Sequence, residues 1–206
     1  MNGIFRIGAV VLACATVVGA LAGCAPLLLG GAAVGGVLVA TDRRTSGTQL
    51  EDESIELKAG RRVGEVFGDS GHVNVTSYNR TVLVTGEAPN EAGAEALRKS
   101  ISEIENVRAV VNELAVMGSS SITSRSNDTI ITSKVKASFV EAKDVQANAI
   151  KVVTERATVY LMGRVTEREA SRAVDIARGV GGVAKVIRVF EILTEAELAS
   201  QALPSK

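Results

Sequence analysis

Apolar residues recur along this chain in an order that appears twice. A helical spacing places Ile55, Ala59 and Val63 on one stripe, and the same i, i+4, i+8 spacing returns at Ile131, Val135 and Phe139. Two alternating segments follow each stripe, with Val73 and Val75 then Thr81 to Gly86 in the first copy, and Ile150 and Val152 then Thr158 to Gly163 in the second. A second amphipathic helix then buries Leu97, Ile101 and Ile104, or Ala173, Ala177 and Val180. A last strand runs from Val107 to Val116, or from Val183 to Ile192. Asp52-Glu53-Ser54-Ile55 matches Asp128-Thr129-Ile130-Ile131, and Val107-Arg108-Ala109-Val110-Val111 matches Val183-Ala184-Lys185-Val186-Ile187, so the repeat is a duplicated domain. Each copy reads as αββαβ, an α+β module with a three-stranded mixed sheet packed against two helices. Helix starts are expected at Asp52 or its neighbours, at Asn127 or Asp128, near Pro89-Asn90, and at Thr166, where Glu169 completes a capping box. Thr194 and Glu197 have the same spacing and predict a short helix in the tail.

Composition narrows the function. There is one His, no Trp, two Tyr and four Phe among 206 residues, a poor supply of groups for acid–base chemistry or base stacking. Neither an enzyme nor a nucleic-acid binder is expected. The net charge of zero hides a difference between the copies: residues 49–117 carry 7 basic and 12 acidic side chains, whereas 126–194 carry 11 basic and 8 acidic. The second copy is therefore the one suited to an anionic surface.

The first residues form a targeting segment. Arg6 precedes an apolar run from Ile7 to Gly19, and Leu21-Ala22-Gly23-Cys24 closes it. That closing run resembles the lipobox of bacterial lipoproteins, which implies cleavage after residue 23 and a Cys24 carrying a diacylglycerol and an N-acyl chain such as palmitate. Ala25 in place of Asp implies, by the same resemblance, passage to the outer membrane. The alternative is an uncleaved signal anchor, since residues 7–40 are apolar or small over a length that spans a bilayer. Ala25 to Ala40 reads as an apolar collar or as a membrane-lying segment with Gly31 and Gly35 in GxxxG spacing. Thr41 to Glu51 reads as a polar linker. The expected organisation is a signal peptide over 1–23, a lipidated tether over 24–48, modules over 49–118 and 126–194 joined by a linker at 119–125, and a tail over 195–206.

The order of elements, the glycine that ends the second strand of each copy, and the closing Val-x-x-Val-Val/Ile strand resemble the BON domain. Thr48-Gln49-Leu50-Glu51-Asp52, Ser126-Asn127-Asp128-Thr129 and Gly163-Arg164-Val165-Thr166-Glu167-Arg168-Glu169-Ala170 are similar to the dual-BON outer-membrane lipoproteins. The resemblance implies a periplasm-facing, outer-membrane protein that binds anionic phospholipid, such as phosphatidylglycerol or cardiolipin, through the first helix of its second module. It also implies a part in envelope integrity and gathering at cell division sites. The residues implied for lipid contact are Ile130, Ile131, Lys134, Val135, Lys136, Ser138 and Phe139.

Comparing the two opening helices supplies the local argument. Aligned on Ile55 and Ile131, Ser54 stands opposite Ile130, about 100° from the buried stripe, so Ile130 is expected on the surface with lysines near it. Shallow insertion beneath anionic headgroups follows, each lysine adding about 1 kcal/mol; the alternatives are packing against the first module or an ordinary surface position. Phe139 reads as core. An envelope protein partner, engaged by a sheet edge or by the acidic first module, is the other function in view. Gly86 and Gly163 read as structural, required by close backbone approach or positive φ. Gly179, Gly181 and Gly182 follow a helix and so read as its termination and not as a phosphate loop. His72 has no second histidine or cysteine beside it, and Glu65 and Asp69 have no accompanying nucleophile, so no metal, cofactor or catalytic group is expected beyond the acyl chains on Cys24.

Overall fold

In the computed structural model, residues 42–202 are described, Asp69 excepted, and they form one compact unit. Cys24, its signal peptide, the 25–40 segment and Asp69 lie outside them. The elements are α1 (Ser46–Phe67), β1 (His72–Tyr78), β2 (Thr81–Ala88), α2 (Glu91–Ser102), β3 (Ala109–Val116), α3 (Ile122–Glu141), β4 (Ile150–Glu155), β5 (Thr158–Thr166), α4 (Glu167–Arg178), β6 (Lys185–Leu193) and α5 (Glu195–Ala202). Both copies have the αββαβ order predicted from periodicity.

Each sheet is mixed. β1 runs antiparallel to β2 and β2 parallel to β3, with α2 as the crossover; β4, β5 and β6 repeat that order around α4. Alternation sends Val82 and Val84 of β2 toward the helices, where they meet Ile55, Ala59, Leu97 and Ile101. In the second module Val159 and Leu161 meet Ile131, Val135, Phe139, Ala173 and Ala177. The intervening residues serve a third core. Tyr78, Leu83, Tyr160 and Met162 pack together with Val111, Val153, Ile187 and Val189, so the helix-free faces of the two sheets cover one another. The layers are thus helices, sheet, sheet, helices.

The hairpin turns explain two residues that looked like helix caps. Asn79 and Arg80 take φ of 49° and 66°, and Arg156 and Ala157 take 48° and 57°, the pair of positive values that a two-residue hairpin favours, yet neither turn contains glycine. A buried aspartate from the opening helix sits under each turn. Asp52 accepts from Asn79 N and Arg80 N at 2.8 Å each and from Ser77 Oγ at 2.6 Å. Asp128 accepts from Arg156 N at 2.9 Å and Ala157 N at 2.8 Å. Both therefore lie within their helices. The true caps are Thr45, whose Oγ1 accepts from Thr48 N, and Ser121, whose Oγ accepts from Ser124 N. This corrects the expected helix starts, and it shortens both the 24–48 tether and the 119–125 linker.

The expected caps at Asn90, Thr166 and Thr194 are present, and the Thr166–Glu169 pair is a complete capping box. Both strand-ending glycines are set by close approach. A Cβ on Gly86, whose φ is 112°, would lie 2.0 Å from the His72 carbonyl oxygen; one on Gly163 would lie 2.4 Å from that of Ala149.

Candidate functional site

Helix α3 divides the expected contact residues into three groups. Ile131, Val135 and Phe139 are at most 1% exposed and form the core of the second module. Their inclusion in a headgroup-contacting set is corrected by that packing: none reaches a membrane surface without unfolding α3. Ser138 is half-buried beside them. Ile130 is 53% exposed, in keeping with its displacement from the stripe, and Lys134 follows roughly 40° round the helix on the same face. Lys136 faces elsewhere. It lies roughly 120° from Ile130, on the flank shared by Val140, which is 73% exposed. Sequence comparison grouped the two lysines, but helical geometry separates them. Among the described residues neither has an ion-pair partner, so both ammonium groups are available to an external anion.

The flank that carries Lys136 borders a feature the sequence reading missed. Asp42 to Thr45, assigned to a polar linker, is a strap lying across both modules. Arg43 makes a bidentate ion pair to Glu169 at 2.7 Å for each nitrogen and donates to Arg164 O at 2.8 Å, while Arg164 donates back to Arg43 O at 3.0 Å. Arg44 donates to Asp52 at 2.8 Å and to Asp42, and its guanidinium stands 4.1 Å from the centre of the Tyr78 ring. Tyr78 Oη in turn donates to Ala149 O of the second module at 3.3 Å.

The charges respond to this packing. The Arg43 hydrogen bonds hold the Glu169 carboxyl below its usual range against the opposing effect of burial. Burial opposes ionisation of both Asp52 and Arg44, but the hydrogen bonds each receives or gives win, lowering the first pKa and raising the second. Tyr78 is pushed up to about 12, chiefly by burial and then by the charge of Asp42. The Glu169 and Asp52 carboxylates and the Arg44 guanidinium are thus held ionised at neutral pH.

Between strap and helix is an open cleft of about 360 Å³, lined in part by Asp42, Arg44, Lys136, Val140, Ala147 and Lys151. Lys151 is bound to Glu56 of the first module at 2.9 Å. The opposite outer layer has its own exposed apolar residues, Leu50 and Leu57 on α1, at 68% and 70%. His72 begins β1, its Nε2 3.4 Å from Asn74 Nδ2. Among the described residues no group of His, Cys, Asp and Glu is arranged to hold a metal, and no helix is long and apolar enough to cross a membrane.

The BON domain family matches this chain twice, over residues 52–118 and 127–194. Outer membrane lipoprotein DolP of Haemophilus influenzae is 39% identical over 175 residues, 84% of this chain and 90% of that protein. The 21 kDa hemolysin of Actinobacillus pleuropneumoniae is 31% identical over 151 residues, 72% of this chain and 78% of its own length. Osmotically-inducible protein Y of Escherichia coli is 30% identical over 120 residues, 57% of this chain and 60% of the relative.

Proposed function

The chain belongs to the BON-domain family, and from that premise we propose that it is a non-enzymatic outer-membrane lipoprotein, anchored through acylated Cys24, whose second module binds anionic phospholipid in support of the envelope. The observation that carries the reading is the outer face of α3. Ile130 is 53% exposed where the first module has Ser54, and Lys134 stands beside it without an ion-pair partner among the described residues. An exposed aliphatic side chain inserts among headgroups while a neighbouring ammonium meets their phosphates, which suits a shallow surface contact. The net positive charge of the second module favours the same partner, phosphatidylglycerol or cardiolipin. The likeness to an outer membrane lipoprotein over 84% of the chain supports the location, with both modules facing the periplasm.

Vesicle flotation of the compact unit from residue 42 onward tests this without the anchor. Ile130→Asp is expected to weaken binding to phosphatidylglycerol vesicles while leaving thermal unfolding unchanged; equal flotation of variant and parent would overturn the assignment.

A second reading rests on α1. Leu50 and Leu57, two turns apart with Lys58 and Arg61 beside them, offer an apolar strip on the first module suited to an envelope protein partner. Loss of pulldown on Leu57→Asp, with vesicle binding retained, would favour it.

A further inference from the structure

Residues 42–45 are where the tether joins the folded body, and the strap fixes that junction against the second module. We propose that the strap does more than end the tether: with the C-terminal half of α3 it builds a recess for the headgroup of an anionic phospholipid, in the leaflet that carries the anchor. The inference rests on the lipid-binding reading above and adds both a wall and a location to it.

Four observations carry it. The cleft of about 360 Å³ has a strap wall made by Asp42 and Arg44 and a helix wall made by Lys136 and Val140, with Lys151 at the side. Of the three cations that line it, Arg44 is paired with Asp42 and Asp52 and Lys151 with Glu56, whereas Lys136 has no ion-pair partner among the described residues, so its ammonium is the group open to a phosphodiester. Val140 is 73% exposed at its rim, which places an apolar contact beside the ammonium group. The fourth observation is connectivity. From Cys24 to Asp42 the chain has 18 steps, and a coil of that length has a root-mean-square reach of roughly 20 to 25 Å, short enough for the recess to meet the leaflet that holds the acyl chains. The Arg43–Glu169 clamp holds the strap to the second module, while Arg44–Asp52 holds it to the first. A strap released from Glu169 keeps only its first-module hold, so the tether no longer joins the body beside α3, and α3 is then no longer turned toward the leaflet.

The test uses full-length lipidated protein in nanodiscs containing phosphatidylglycerol with a headgroup-attached nitroxide. A fluorophore is placed through Lys143→Cys, three residues past Val140, and in separate samples through Leu57→Cys on the far layer and through Ser126→Cys, one turn from Ile130. The native strap is expected to give strong quenching at 143 and little at 57. Arg43→Glu, which repels Glu169, is expected to abolish the quenching at 143, whereas Arg43→Lys retains it. Arg43→Ala repeats the test with a milder change, and a melting curve for each variant confirms that the body is folded. Undiminished quenching at 143 in folded Arg43→Glu and Arg43→Ala protein would overturn the strap's role. Quenching at 126 but not at 143 with the native strap overturns the recess while leaving the lipid reading standing; quenching at none of the three positions overturns both.

Discussion

Helix α1 exposes Leu50 and Leu57 where the aligned positions of α3 are Ser126 and Ser133, and α3 exposes Ile122, Ile130 and Val140 where α1 has Ser46, Ser54 and Gly64. Their buried positions coincide instead. Asp52 with Asp128, and Ile55 with Ile131, occupy equivalent places beneath equivalent turns. Duplication has kept what each helix shows its sheet and rewritten what it shows the outside. Outward residues are thus the ones to search for function, and inward ones for stability.

The most damaging way to probe the shared part is at the aspartates. Asp52→Ala leaves two turn N–H groups, Ser77 Oγ and the Arg44 guanidinium short of their acceptor, and is expected to cost about 3–5 kcal/mol, as breaking a buried ion pair does. Asp128→Ala removes only the turn acceptor and is expected to cost about 2 kcal/mol. Denaturant titration of both variants checks the order; equal losses would mean that neither the strap pairing through Arg44 nor the Ser77 hydrogen bond contributes.

Gly86 and Gly163 sharpen the comparison next. Gly86→Ala adds a backbone clash to a positive φ and is expected to cost about 3 kcal/mol, with Gly163→Ala somewhat less because only the close approach applies there. Thermal melts at fixed pH rank the two.

For the outward face, Lys134→Ala is expected to weaken binding to phosphatidylglycerol vesicles about fivefold, corresponding to about 1 kcal/mol, with the difference shrinking as salt rises. Lys58→Ala, its counterpart on α1, leaves binding unchanged in the same flotation assay. A matching loss at Lys58 would erase the distinction between the modules.

The smallest effect is a pH dependence at their junction. Burial raises the pKa of Glu155, whose Oε2 accepts from Asn74 Nδ2 of the first module, with Glu87 and Asp128 adding to the rise. A carboxyl with a raised folded value opposes folding progressively as pH climbs from its unfolded value through the folded one. Glu155→Gln keeps an acceptor for Asn74 and is therefore expected to raise the melting temperature by about 2 °C at pH 7, and to change it little at pH 4. Asp52 and Glu169 act in the other direction. Their lowered values contribute stability above the ordinary carboxylate range that is lost as pH falls through the folded values.

The sequence revealed what is encoded by near neighbours. Period-3.6 and period-2 patterns placed the helices and strands, the Thr166–Glu169 spacing located a cap, and the glycines marked close approaches. Asp52 and Asp128 misled because a carboxylate ahead of an apolar stripe has the signature of an N-cap, while its actual partners are turn amides 27 to 29 residues away. Lys134 and Lys136 looked like one pair until the helix turned them apart. The strap was hidden most thoroughly: Asp42-Arg43-Arg44-Thr45 has the composition of a solvated linker, and Arg43 finds Glu169 at a separation of 126 residues.

The back-to-back arrangement of the two sheets has a consequence for how such chains can be shortened. Each module supplies the solvent shield for the other's bare pleated face, where Tyr78, Leu83 and Val111 meet Tyr160, Met162 and Ile187. A chain cut between residues 118 and 121 would leave that face without its cover, so the natural unit of this architecture is the couple, and a solitary half would seek a substitute spouse in another copy of itself.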